Sequence, residues 1–418
     1  MNVLILGGGG REHAIAAGIA TSRRLDRLYV APGNAGTAGI AENIPADLAD
    51  LDGLVAVAVR RNIDLTIVGP EGPLCAGVVD RFRDAGLSIF GPDRNAARIE
   101  GDKAFAKHLM KRALVPTAEA RVFAEFDAAK DYIATRDSAL VVKAAGLAGG
   151  KGVVVCDEPS DAIIAAERMM VEHCFGDAGR TILVEERLTG PELSVFALVD
   201  DDTIYVLDTA QDYKRMGDGD TGLNTGGMGA ISPAPRASPA LLADVERSVL
   251  VPIVDAMRGE GITYRGVLYA GLILTAAGPK VLEFNCRFGD PEAQALLPRV
   301  QTDLVDLFSA CCAGRLASLD IRFDPAVAVT VVMASGGYPG AFTTGHPVTG
   351  LVEAADTGAQ VFCAGMRLEA GGPVTSGGRV LSVTGLGADV SAAGRQAYAG
   401  VERISFENAY YRSDIGLV

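Results

Sequence analysis

Glu283, Asn285 and Arg287 stand two residues apart in the run Glu283-Phe284-Asn285-Cys286-Arg287-Phe288-Gly289-Asp290-Pro291-Glu292. Lys280-Val281-Leu282 before them reads as the start of a strand. Side chains on a strand alternate between faces. Val281, Glu283 and Asn285 are therefore expected on one face, and Leu282 and Phe284 on the other, free to bury. A carboxylate and an amide oxygen on one face, with a cation next in line, can serve Mg²⁺ and a phosphate group. An edge strand with a solvated polar face would use the same residues, so this stretch alone leaves both readings open.

A second set lies upstream. Ala139–Lys143 and Val153–Val155 read as strands, and between them Gly146, Gly149, Gly150 and Gly152 surround Lys151. A Walker loop runs from strand to helix. Here strand runs to strand, which predicts a flexible hairpin flap laid over phosphates. Lys143 at the strand end and Lys103 upstream are candidate phosphate contacts. Thr181–Val184 leads into Glu185-Glu186-Arg187-Leu188 and then Glu192. A strand ending in backbone groups suits an adenine edge, and a carboxylate a few residues on suits ribose hydroxyls. Residues 208–229 read as a long polar loop with Asp212, Lys214, Arg215, Asp218 and Asp220, closing on Asn224-Thr225-Gly226-Gly227-Met228-Gly229. It is not an EF-hand, because the twelfth position counted from Asp218 is Gly229 rather than Glu. Charge between glycines in so long a loop points to function.

These residues need elements to position them. Residues 2–6 read as a buried strand, Gly7–Gly10 as a loop, and Arg11-Glu12-His13 as the opening of a helix. Strand, glycine loop and helix N-terminus form a phosphate cradle. The dinucleotide fingerprint fits poorly: its third glycine would fall on Glu12, and the second strand ends in Ala-Pro-Gly-Asn rather than an acidic residue. Further strands at Asp64–Val68 and Ser88–Phe90 end in Gly-Pro loops. Alternating strands and helices make a parallel sheet with loops at the strand C-termini, so Arg11, Asn34 and Glu71 are expected on one rim. Gly266–Thr275 and Lys280–Asn285 read as an antiparallel hairpin. After about residue 320, short strands at 326–334, 360–363 and 379–384 predict a small β-rich unit.

The chain has 418 residues, 49% of them hydrophobic, enough for two to four packed domains. Its net charge of −14 argues against nonspecific binding to nucleic acid or an anionic membrane. Seven cysteines form no Cys-x-x-Cys pair. Reduced thiols in the cytoplasm are the simpler reading than a disulfide framework or a zinc site. There is no signal-peptide pattern and no apolar run near the ~18 residues of a membrane span.

With these motifs assembled, the chain resembles the glycinamide ribonucleotide synthetases (phosphoribosylamine–glycine ligases) of the ATP-grasp superfamily. The resemblance runs end to end: Leu6-Gly7 through His13, Ala31–Thr37, Thr66–Glu71, Gly222–Gly229, Leu268–Gly271, Glu283–Glu292 and Gly336–Gly340. It implies an α/β and α+β multidomain fold: a parallel α/β domain over 1–100, an ATP-grasp core over 101–318 with a lid at about 117–187, and a β-rich domain over 319–418. It implies Glu283 and Asn285 as Mg²⁺ or Mn²⁺ ligands. Around ATP it implies Lys103, Lys143, the flap Gly149-Gly150-Lys151-Gly152, Glu185, Glu186, Leu188 and Glu192. Phosphoribosylamine would lie between the loops of Gly9, Gly10, Asn34 and Glu71 and the core, with Asp212 and Lys214 nearby. Arg287 and Asp290, with Gly289 between, would hold the carboxylate and amine of glycine. Arg287, Lys143, Asp212 and Asp290 would be catalytic. The expected reaction is ATP-dependent ligation of glycine to phosphoribosylamine in purine biosynthesis by a monomer, with a dimer as the alternative. Another ATP-grasp carboxylate–amine ligase, a non-catalytic nucleotide-binding module and a nicotinamide oxidoreductase are the rival readings. Three positions depart from the family pattern: Ala145 for a usual Asp, Gly149 for Ala and Tyr213 for His.

Overall fold

The computed structural model describes residues 1–417. A five-stranded parallel sheet opens the chain, in spatial order Glu42–Asn43, Arg27–Pro32, Asn2–Gly7, Leu65–Val68 and Ile89–Phe90. Val3, Ile5, Leu28 and Val30 bury on one face and Leu4, Leu6 and Tyr29 on the other. Both faces are thus covered, as parallel strands require. The winding reverses between Asn2–Gly7 and Leu65–Val68, and the loops that follow them open a crevice there. Glu12 explains the absent third glycine. Its carboxylate accepts the Gly9 N–H at 2.6 Å and packs against Gly7 and Gly69.

A separate antiparallel sheet runs Ala120–Phe123, Ile182–Glu186, Leu140–Ala144, Val153–Cys156. Helices Phe126–Ala134 and Pro159–Met170 cover it through Ala129, Ile133, Ala162, Ala166 and Met169, the three-to-four spacing of an amphipathic helix. The expected flap is the connection between its last two strands, with Lys143 paired to Val153 at its base.

The largest sheet is antiparallel and has nine strands. Its order is Gly278–Asn285, Arg265–Thr275, Glu192–Asp200, Ile204–Asp212, Gly229–Ser232, Val327–Ser335, Arg379–Gly387 and Gln360–Cys363, with Ala409–Tyr410 paired to Val327–Ser335. The β-rich strands expected after residue 320 therefore extend the sheet that carries Glu283. Arg299 is buried at the seam. It donates to Ser232 Oγ at 2.9 Å and the carbonyls of Ala326 and Asp324 at 2.5 and 3.1 Å, and pairs with Asp208 at 2.7 Å. The stretch 208–229 is less of a loop than expected: a strand runs to Asp212, and Arg215–Gly217 pairs with Thr221–Asn224 as a ribbon.

The expected alternation holds over Glu283–Asn285 but breaks between Val281 and Glu283. Leu272 pairs with Val281 and Gly271 with Glu283, so Leu282 is an extra residue. This β-bulge puts Val281 in one core with Phe284 and Cys286. Bulges re-aim side chains in this way, often beside active sites.

His13 joins helix Gly10–Ala20 to the far sheet. Its Nδ1 accepts the Cys363 N–H at 2.8 Å, and its ring stands edge-on to Phe362 at 5.8 Å. Burial lowers its pKa to about 4, and Nδ1, already accepting an N–H, has no free lone pair for a proton there. The unfolded chain takes a proton near 6.5 and the folded chain only near 4. Stability from neutral His13 is thus present above pH 6.5 and lost as pH falls toward 4, on the order of 3 kcal/mol. A His13→Gln variant is expected to lose stability less steeply over that window in urea titrations. Equal slopes for variant and parent would remove His13 from the acid response.

Candidate active site

Glu283 projects toward three lysines. Burial alone would raise its carboxyl, but Lys214, Lys143 and Lys103 outweigh burial and hold it below the usual range. Lys143, buried at the lid strand's end, donates to the Leu282 carbonyl at 3.1 Å and pairs with Glu185 at 3.0 Å. The four-stranded sheet thus touches the largest sheet at the bulged residue. Lys107 reaches the same Glu185 at 3.2 Å, and burial brings its pKa down to about 8 although that carboxylate opposes the fall. Lys103 donates to the Gly146 carbonyl at 3.3 Å, at the base of the flap.

Among the described residues no three or more acidic, His or Cys side chains cluster to cage a metal. Glu283 and Asn285 offer two oxygens, the first ionised as a ligand must be. That donor set fits Mg²⁺, which binds through one or two side chains and completes its shell with phosphate oxygens and water.

Arg287 lies between two carboxylates. Its Nε donates to Glu71 at 3.2 Å, one terminal nitrogen to Glu100 at 2.7 Å, and the other to the Phe288 carbonyl at 3.2 Å. A guanidinium has five N–H donors. One therefore remains on each terminal nitrogen, the fork that matches a carboxylate. Burial raises the Glu71 carboxyl, but Arg287 and Arg11 outweigh it and leave it lowered. Burial wins at Glu100, whose carboxyl is raised despite Arg287.

Asp290 borders a cleft of about 500 Å³ between the first sheet's loops and the last strands. Gly8, Gly9 and Gly33 form one wall, and Ala364–Arg367, Ser376 and Arg379 the other. Burial would raise the Asp290 carboxyl, but Arg379 and Arg11 hold it low, and Gln294 donates to it at 2.9 Å. Arg379 also donates to the Asp290 carbonyl at 2.7 Å.

Asp212 ends its strand with Oδ1 buried and unpartnered. Burial raises its carboxyl well above the ordinary value, and Glu292 adds to that against Lys214. Glu292 is itself buried and accepts from the Tyr269 hydroxyl at 2.7 Å and from Ser194 at 3.4 Å. Lys214 pairs with Glu192 at 2.9 Å. Burial works against its charge, but Glu192, Tyr269 and Glu283 keep it firmly protonated.

The remaining expected residues lie around these groups or beyond them. The Asn34 amide donates to the carbonyls of Gly8, Gly9 and Cys363 and accepts from Gly36 and Thr37, so it locks loops together. Gly10 packs on Gln294 and Gly289 on Glu292. Glu186 is exposed, pairing with Lys280 at 3.2 Å. Leu188 lies just past its strand, partly buried. Lys151 is exposed on the flap, where Gly149 and Gly150 take left-handed backbone with open space around them. Of the departures, Ala145 accepts the Lys103 N–H at 2.9 Å, and Tyr213 lies under the Arg412 guanidinium at 5.1 Å.

Sequence reasoning missed Glu100, Glu292, Tyr269 and Arg379. Glu100 left a trace: it shares a helical face with the buried Ala96 and Ala97, an acid on an apolar stripe. Ser376-Gly377-Gly378-Arg379 left another, a cation closing a glycine turn before a strand.

The family model described as the phosphoribosylglycinamide synthetase N domain matches residues 1–100. The ATP-grasp (A) domain of the same family matches 101–293 and its C domain 328–418. A phosphoribosylamine–glycine ligase from Rhodopirellula baltica is 51% identical, over 99% of this chain and 97% of its own length. The crystal structure of a phosphoribosylamine–glycine ligase from Thermotoga maritima superposes with a TM-score of 0.86 at 32% identity, over 99% of this chain and 100% of that one. The biotin carboxylase domain of a Hydrogenobacter thermophilus 2-oxoglutarate carboxylase, solved with MgADP, ADP and bicarbonate, shares the fold alone. Its TM-score is 0.74 at 16% identity, over 98% of this chain and 91% of that one. The chain belongs to the phosphoribosylglycinamide synthetase family.

Proposed function

We propose that this chain ligates glycine to 5-phosphoribosylamine at the expense of ATP, giving glycinamide ribonucleotide, ADP and phosphate in purine biosynthesis. One observation carries the reading beyond family membership. The run Glu283–Glu292 begins among the lysines Lys103, Lys143 and Lys214 and ends at Asp290 on the cleft. In this reading a phosphate site and a second-substrate site abut along ten residues, with Arg287 between them. An oxidoreductase or a sensor has no use for that juxtaposition.

A carboxylate is a poor electrophile and needs a leaving group. In the proposed reaction a glycine carboxylate oxygen attacks the γ-phosphorus, ADP leaves, and glycyl phosphate forms. Positioning and charge neutralisation do most of that work. Arg287 would hold the carboxylate on its two remaining N–H groups, oriented by Glu71 and Glu100. Asp290, held ionised, would hold the glycine amine. Lys143 and Lys103 would offset charge on the phosphates. Mg²⁺ or Mn²⁺ on Glu283 and Asn285 would neutralise phosphate oxygens when bound. The phosphoribosylamine nitrogen then attacks the acyl carbon, phosphate leaves, and the nitrogen sheds a proton. Asp212, buried at its strand's end with one carboxyl oxygen unpartnered, would take it in its ionised form. The flap of Gly149, Gly150, Lys151 and Gly152 would exclude water from the acyl phosphate. With this reading go domains at 1–100, 101–318 and 319–418, a cytoplasmic location and a monomeric enzyme.

The reading predicts ADP and phosphate release only when ATP, Mg²⁺, glycine and phosphoribosylamine are all present; ATP turnover indifferent to glycine would sink it. Arg287→Ala is expected to lower kcat by about 10²-fold or more, the scale of one transition-state contact. Near-normal turnover would refute its role. If Asp212 is the base, kcat rises with pH as its carboxyl ionises. Asp212→Asn should then be slower by roughly 10²-fold and lack that rise; an unchanged pH profile would exclude it.

A further inference from the structure

The segment 409–417 belongs to no expected site, yet its contacts converge on the stretch that carries Asp212 and Lys214. The ribbon there, Arg215–Gly217 with Thr221–Asn224, has little to hold it: Thr221, Gly222, Leu223 and Asn224 are all exposed. An isolated two-stranded ribbon is marginal in water. Arg412 donates to the Arg215 carbonyl at 3.0 Å and reaches Asp220 at 3.4 Å, while its guanidinium covers the Tyr213 ring. The Tyr410 hydroxyl donates to the Met216 carbonyl at 2.9 Å. Asp414 accepts the Gly219 N–H at 2.8 Å, and Asp218 accepts the Ser413 N–H at 2.9 Å.

The segment is firmly seated. Ala409–Tyr410 pairs with Val327–Ser335, Ile415 is fully buried, and the Tyr398 hydroxyl donates to the Arg412 carbonyl at 2.8 Å and accepts the Ile415 N–H at 2.9 Å. Arg412 is only 1% exposed and forms two parallel bonds to Asp414, each 2.7 Å. A buried ion pair is a weak source of stability, because desolvation cancels most of its attraction. Its planar fork is instead a strong source of geometry. An apolar side chain could fill the site but could not hold the Arg215 carbonyl and Asp220.

We propose that Arg412 is a positioning residue, and that segment 409–417 is a strap holding the Asp212–Met228 stretch in its working shape. The strap deepens the ligase reading but is testable without it. Arg412→Gln removes the charge and most of the fork, and Arg412→Lys restores the charge alone. Tyr410→Phe removes one bond at the ribbon and leaves the ring. Amide exchange by mass spectrometry should be at least tenfold faster over residues 213–228 in Arg412→Gln and several-fold faster in Tyr410→Phe. Strand Val327–Ser335 should be unchanged in both. Glycine- and phosphoribosylamine-dependent ADP release should fall about tenfold or more in kcat for Arg412→Gln, and less for Arg412→Lys, with the KM for ATP within twofold. Unchanged exchange over 213–228 in Tyr410→Phe, or uniform acceleration across the whole chain in both position-412 variants, would overturn the strap. Faster local exchange with kcat unchanged would overturn the positioning role of Arg412. If the parent lacks glycine-dependent ADP release, the ligase reading fails while the exchange result still judges the strap.

Discussion

A positive charge taken out of water must be met by partners, and Arg287 is met from two directions. Its side chain is 17% exposed, and it pairs with Glu71 on helix Glu71–Ala76 and with Glu100 on helix Arg94–Gly101. Glu100 also accepts the Cys286 N–H at 2.8 Å, so one carboxylate fixes both the backbone before Arg287 and the guanidinium itself. Removing either acid would leave a charge buried with less compensation, which costs more than the pair contributes. The crevice of the parallel sheet, the helix before the ATP-grasp region and the site strand are therefore tied at one guanidinium. That tie keeps the lysine side and the cleft side of the run Glu283–Glu292 in register.

The bulge at Leu282 serves the same end by a different route. An unbroken strand would carry Glu283 on the face of Val281, and Val281 is in the core. The extra residue frees Glu283 for the lysines and leaves the Leu282 carbonyl to accept from Lys143. Lid and core are thereby joined through a backbone oxygen that regular pairing would spend elsewhere. The charges there are mutually dependent: Glu283 stays ionised because of the lysines, and Lys214 stays charged because of Glu192 and Glu283.

What the sequence made legible follows from the range of the interactions involved. The parallel strands, the lid hairpin around Lys151 and the run Glu283–Glu292 are marked by local alternation and glycine turns, and the structure contains all three. The bulge was not legible, because Lys280-Val281-Leu282-Glu283 contains no glycine or proline to mark an added residue. Nor was the seat of Arg379, whose partners Asp290 and Gly226 lie 89 and 153 residues away in sequence. Asn34 was legible as a rim residue but not as a lock, since Cys363 is more than three hundred residues distant. Continuity between the ATP-grasp strands and the later β-rich strands depends on the pairing of Gly229–Ser232 with Val327–Ser335, which no local pattern announces.

Two glycine-rich hairpins border the site, and their packing differs in a way that fits their tasks. Around Gly149 and Gly150 there is open space, while the residues before them are tied, Gly146 to Lys103 and to the Ala178 carbonyl, and Ala148 to the core beneath. The tip at Gly149 and Gly150 can move while its base stays packed, as the proposed cover over a water-sensitive intermediate would. Gly226 and Gly227 are crowded by Arg379, Pro291 and Asp212, and the ribbon beside them is held by the segment 409–417. Motion there would move Asp212 and Lys214, and a misplacement of about 1 Å at a reacting group can cost on the order of 10² in rate. Glycine loosens the first hairpin because nothing surrounds it. In the second it permits the close approach that makes the hairpin rigid.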